Sequence, residues 1–196
     1  MTPTPESPHP GVRTLTDAKA LSALANEARS RIMDALKVDG PSTASGLAMR
    51  VGLAVGSASH HLKILHEAGL VTEAPELAKD RRERWWQLAD RGTRWSSADL
   101  ADDPAAYGAA QQAQALQLSR QVDKARAWMT EAETVPEWED AAFATQSWLN
   151  VSPEELAQVA QEIVEVLSRW GSRAVPADGA EREAVLVFAR GFPSQP

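Results

Sequence analysis

Between residues 16 and 39, Leu21, Leu24, Ala25, Ala28, Ile32, Ala35 and Leu36 recur at helical intervals. An α-helix turns about 100° per residue, so this spacing gathers the apolar side chains on one side. Thr16 and Asp17 are start signals, Asn26 can divide the stretch in two, and Gly40-Pro41 stops it. Ser42 or Thr43 can cap a short helix carrying Leu47, Ala48 and Val51, which Gly52 ends. A further helix is predicted from Val55 to Ala68, with Gly69 as its stop. Leu70-Val71-Thr72 and Arg84-Trp85-Trp86-Gln87-Leu88 are β-prone and flank a polar, charged stretch at 74–83.

The second half has a different pattern. Pro104 opens a long helix reaching about Glu133, with Leu118, Val122, Ala125, Met129 and Ala132 in 4-3-4-3 spacing. That stripe suits packing across a two-fold partner; the alternative is a helix lying on its own domain. Pro136 breaks the pattern, and a strand is predicted from Phe143 to Val151. Ser152-Pro153-Glu154-Glu155 starts a helix carrying Leu156, Val159, Ala160, Ile163, Val164, Val166 and Leu167, ending near Trp170-Gly171. Ala184 to Ala189 is predicted as a final strand. The expected fold class is mainly α with small β elements. An N-terminal winged helix-turn-helix is followed by a long helix and a small α/β C-terminal unit.

Length and charge refine this division. At 196 residues the chain makes one domain or two small ones. Its net charge of −7 looks unfavourable for nucleic acid, but residues 1–98 balance to +2 and residues 99–196 to −9. We therefore expect a disordered tail at 1–14, a DNA-binding winged helix-turn-helix at 15–98, and an acidic dimerisation and effector region at 99–196.

The helix at 55–68 carries the candidate chemistry. Ala58, Leu62, Leu65 and His61 share its apolar side, and Gly56, Ser57, Ser59, His60 and Lys63 lie on the opposite and flanking arcs. Small hydroxyls, a lysine and a histidine suit hydrogen bonds to base edges and phosphates, and Gly56 permits close approach. The same residues would also suit a solvated face. Val55 and Gly56 stand where a base-reading glutamine or arginine often sits, which points to few base contacts or to DNA shape. The predicted wing holds Lys79, Arg81, Arg82, Arg84, Arg91 and Arg94, with Arg81, Arg82 and Arg84 as the candidate phosphate contacts. Glu73, Glu76, Asp80 and Glu83 weaken that patch. One of Trp85 and Trp86 should be core, because a strand alternates its faces.

These stretches also resemble a family. Leu24-Ala25-Asn26-Glu27-Ala28-Arg29-Ser30-Arg31-Ile32 is similar to the opening of ArsR-like bacterial repressors. Ser57 to Val71, with its His60-His61-Leu62 and Gly69-Leu70-Val71, resembles their recognition helix and its exit into the wing. Arg82 to Leu88 resembles their second wing strand. The resemblance covers residues 15–88 and implies a transcriptional regulator, a repressor, that binds double-stranded DNA as a homodimer. A winged-helix module for protein–protein contact is the alternative.

Other chemistries find little support. The chain has no cysteine, and its four histidines are His9, His60, His61 and His66. The last three do not share a helix face, so we expect no metal site and no cofactor. His61 is expected at a helix interface, with a hydrogen bond from its ring. No phosphate loop, nucleophile elbow or carboxylate pair points to an enzyme. Trp128, Trp148 and Trp170 could line a pocket for an apolar small-molecule effector, although core and dimer packing explain them more simply. No apolar run approaches the ~20 residues of a membrane span, and the start lacks a secretory signal, so a cytoplasmic protein without membrane contact is expected.

Overall fold

The structure, a computed structural model, describes residues 11–80, 83–96, 98–131 and 135–195. Contacts divide the chain into one unit up to Lys124 and another from Ala125. This division falls inside the long helix.

In the first unit, β1 (Val12–Thr14) leads into α1 (Ala18–Leu24), α2 (Glu27–Asp39), β2 (Ser42–Thr43), α3 (Ala44–Val51) and α4 (Val55–Glu67). β3 (Val71–Glu73), β4 (Trp85–Leu88) and β5 (Gly92–Arg94) follow, and then α5 (Pro104–Glu131). Local chemistry sets the helix starts. The side chains of Asp17, Asn26 and Thr43 accept backbone N–H groups at the starts of α1, α2 and α3. Asp103 Oδ1 accepts from the Ala105 and Ala106 amides at the start of α5, both at 3.0 Å. Asn26 thus does divide the first apolar stretch into two helices.

Glycines close α3 and α4. Gly52 and Gly69 take positive φ values of 65° and 66°, which other residues adopt only with strain. The next amides then bond back, Leu53 to the Ala48 carbonyl at 2.8 Å and Leu70 to the Leu65 carbonyl at 2.9 Å. Those turns aim α4 off α3 and send the chain from α4 into the wing.

β2, β4 and β3 form an antiparallel sheet in that order, with Val71 opposite Leu88 and Ser42 opposite Trp86. β1 pairs with β5 in parallel, Val12 opposite Gly92. Residues 12–14 are therefore not part of a disordered tail: Thr14 is buried, and the Leu15 amide donates to the Arg94 carbonyl at 2.7 Å. The core joins Leu21, Ile32, Leu36, Leu47, Val51, Leu62, Leu65, Val71 and Trp86 with Leu100 and the alanines of α5. Of the tryptophan pair, Trp86 is the buried one.

α5 meets this core through Ala106, Ala109, Ala110 and Ala113, small residues that let the helix lie close. Asp34 on α2 receives Arg120 at 2.7 Å and Lys124 at 3.3 Å. In the expected stripe, Leu118, Ala125 and Met129 are exposed, Val122 is half-buried, and Ala132 lies outside the described residues.

The second unit contains the end of α5, the short α6 (Pro136–Glu139) and α7 (Pro153–Ser172). Ser152 caps α7, as the sequence predicts, and Glu155 bonds back to complete a reciprocal capping box. The two strands expected at 143–151 and 184–189 are not formed. Both segments are β-prone, but neither has a pairing partner, and propensity expresses fit to a sheet rather than an intrinsic preference. No described residue from 143 to 195 is buried. Among the described residues, no helix is long and apolar enough to cross a membrane.

Candidate nucleic-acid interface

Ala58, Leu62 and Leu65 are completely buried and fix the rotation of α4. This leaves Gly56, Ser57, Ser59, His60 and Lys63 exposed, as the periodicity predicts. Ser59 and Lys63 stand along one wall of a groove of about 570 Å3. Thr43, Ala44 and Ser45 at the start of α3 form a second wall, and Glu73, Glu83, Arg84 and Trp86 come from the wing. Gly56, Ser57 and His60 lie outside the groove lining. Arg81 and Arg82 lie outside the described residues.

The start of α4 differs from those of α1, α2, α3, α5 and α7. Its N-cap is Ala54, with no side chain to accept a hydrogen bond. The first-turn N–H groups consequently keep their partial positive charge open to an incoming acceptor. Nothing lies within 4 Å of where a Cβ on Gly56 would be.

The basic groups are loosely held. Lys63 Nζ is 3.9 Å from Glu67, and Arg84 is 3.7 Å from Glu73, with all four side chains substantially exposed. Exposed pairs of this kind contribute little and exchange readily for another anion. The backbone N–H of Lys79 donates to Glu83 at 2.9 Å and holds its carboxyl below the usual range. Glu83 therefore stays negative beside the groove.

Sequence reasoning missed Thr43 and Ser45 as groove residues, along with Val55, His66, Glu73, Glu83 and Trp86. His66 lies three residues after Lys63, a helical neighbour spacing that could have placed it there. Its Nδ1 is 3.1 Å from the Val71 carbonyl, and its ring meets Trp86 edge-on at 5.5 Å. These contacts join the end of α4 to the wing.

His61 does face the helix interface, but Nδ1 is buried without a hydrogen-bond partner, contrary to the expected ring bond. Arg29 donates to the carbonyls of Ala23 at 2.7 Å and Ser22 at 3.0 Å. Burial first, then the charges of Arg29 and His60, push the His61 pKa below 6.5. The unfolded chain thus binds the proton more readily. This contribution to stability is present above about pH 6.5 and is lost as pH falls through the lower folded-state pKa. Melting curves between about pH 8 and 5 should show a smaller acid loss in His61→Gln than in the parent. An identical loss in both would contradict it.

Trp128 is half-buried, and Trp148 and Trp170 are exposed, with Arg173 stacked 4.4 Å above Trp170. Among the described residues no cluster of His, Asp or Glu could hold a metal ion.

Residues 24–74 match the helix-turn-helix domain family. No curated protein sequence matches the chain. Among solved structures, the chain is similar to a homodimeric winged helix-turn-helix DNA-binding domain from Mycobacterium bovis, described as that of a possible ArsR-family regulator. The identity is 20% over 57% of this chain and 82% of that one, with a TM-score of 0.34. Reduced HlyU from Vibrio cholerae is 30% identical over 36% of this chain and 73% of its own, with a TM-score of 0.30. The MarR-family regulator NMB1585 from Neisseria meningitidis is 17% identical over 74% and 80%, with a TM-score of 0.36. The family match covers α2 to β3, and the hairpin of β3 and β4 supplies the wing; the N-terminal part of this chain belongs to the helix-turn-helix domains and carries a wing.

Proposed function

We propose that the chain is a DNA-binding transcriptional regulator that represses as a homodimer. The observation that carries this reading is the exposed face of α4. Its hydroxyls and cations line up behind a helix start that no side chain caps. In the major groove, Ser57, Ser59, His60 and Lys63 would meet base edges and phosphates, and Gly56 would admit the backbone closely. Arg84, with Arg81 and Arg82, would hold phosphates from the wing. The exposed stripe of α5 and the uncovered apolar residues of α7 support a second copy as partner. An apolar effector near Trp128, Trp148 and Trp170 belongs to the same proposal, as does action in the cytoplasm.

The carboxylates of Glu73 and Glu83 in the same groove favour a second reading, a winged helix that docks on protein. Alanine at both His60 and Lys63 separates the two. Removing a specific interaction with a base costs about 1–3 kcal/mol, so DNA affinity should fall about tenfold or more while dimerisation survives in sedimentation. Unchanged DNA binding, or loss of a protein partner where DNA never bound, would favour the second reading.

The missing cap supplies a further test. Ala54 has the extended backbone of an N-cap, with φ −68° and ψ 144°. Ala54→Asp should stabilise the fold by about 0.5–2 kcal/mol in denaturant melts. It should also weaken DNA binding, because the carboxylate occupies the open donors and repels phosphate. Stabilisation accompanied by tighter binding would contradict this use of the helix start.

A further inference from the structure

Val55, Ser59 and Lys63 are spaced i, i+4 and i+8 along α4, and all three line the groove. They form one ridge with an apolar end, a hydroxyl in the middle and a cation beyond it. The apolar end has no structural role that explains it. Val55 is 52% exposed, whereas the core contacts of the helix are made by Ala58, Leu62 and Leu65. A β-branched residue also gains nothing in helix propensity at an exposed position.

Its surroundings are open. Gly56 adds no side chain beside it, and Ala54 adds no polar cap before it. Thr43 and Ala44, the nearest part of the opposite wall in sequence, contribute a hydroxyl and a methyl. An apolar side chain at the start of a groove-facing helix matches one feature of the DNA major groove, the 5-methyl group of thymine. Hydrogen-bonding side chains would suit any other base edge better.

We propose that Val55 is a specificity-determining residue that selects thymine by apolar contact with its 5-methyl group. The inference rests on the DNA-binding reading and names a base that the α4 ridge recognises. Val55 thereby takes over a position where a hydrogen-bonding residue would read a different edge.

The experiment selects duplexes from a random pool with the full chain, then replaces each recovered thymine by deoxyuridine. That exchange preserves base pairing and the O4 acceptor and removes only the methyl group. At one thymine in a single half-site it should weaken binding about fourfold, the effect of one buried methyl-sized group. Val55→Ala should bind the thymine and deoxyuridine duplexes equally, and circular dichroism would establish that it remains folded. Val55→Thr, close in shape and keeping one γ-methyl, should retain part of the preference. Sites in which no deoxyuridine weakens binding would overturn the role of Val55 while leaving DNA binding intact. Equal sensitivity in the parent and Val55→Ala would do the same. Failure to recover any duplex above the random pool would overturn the DNA-binding reading, and this inference with it.

Discussion

Leu62→Ala is expected to destabilise the first unit by about 2–5 kcal/mol. Leu62 has no exposed surface, and it shares the core with Leu21, Ile32, Leu47 and Leu65. Its truncation removes apolar burial and leaves a cavity that surrounding helices can only partly close. It lies on the opposite side of α4 from the candidate contacts, so any DNA defect should follow unfolding and recover at low temperature. Denaturant melts with unchanged m-value measure the loss. A cost below about 1 kcal/mol would mean that α4 is not anchored through this side chain.

The second large effect is expected at Gly69. With φ at +66°, an alanine there costs about 1–2 kcal/mol in backbone strain. A Cβ would also stand 2.8 Å from Arg13 Nη1, which donates to the Gly69 carbonyl at 2.7 Å. The guanidinium has to move, and its bond from β1 to the exit of α4 is weakened or broken. Arg13→Ala separates the contributions, because it removes the bond without the strain. Gly69→Ala should lose more stability than Arg13→Ala in the same melts; equal losses would place the whole effect in the Arg13 hydrogen bond.

Helix α4 was legible because two strong signals agree. Ala58, Leu62 and Leu65 repeat with the helical period, and Gly69 supplies the turn that ends it. The wing was legible for a similar reason, as two β-prone runs flank a polar stretch. The docking side of α5 was not. Its buried residues are Ala106, Ala109, Ala110 and Ala113, while the larger apolar residues that draw attention, Leu118 and Met129, face outward. Close helix approach depends on small side chains, which leave a faint hydrophobic pattern.

β1 escaped notice because three residues pair with β5 far along the chain, and no local pattern announces such a partner. The reverse holds at 143–151 and 184–189. Their β-prone residues are real, but strand formation also requires a neighbouring edge. Of the groove, Ser59 and Lys63 were placed from the periodicity of α4. Glu73, Glu83 and Trp86 reach it through the return of the wing, a tertiary feature that places acids beside the cations of α4 and the wing. Arg81 and Arg82, expected at the wing tip, fall outside the described residues.

Fluorescence anisotropy of the full chain on DNA from upstream of its own gene, beside a scrambled duplex, tests DNA recognition most directly. Both duplexes should be titrated at several salt concentrations. Tighter binding to the upstream DNA is expected, with affinity falling steeply as salt rises because phosphate contacts release counterions. Equal, weak binding to both duplexes, or affinity insensitive to salt, would contradict a sequence-reading α4 supported by a phosphate-holding wing.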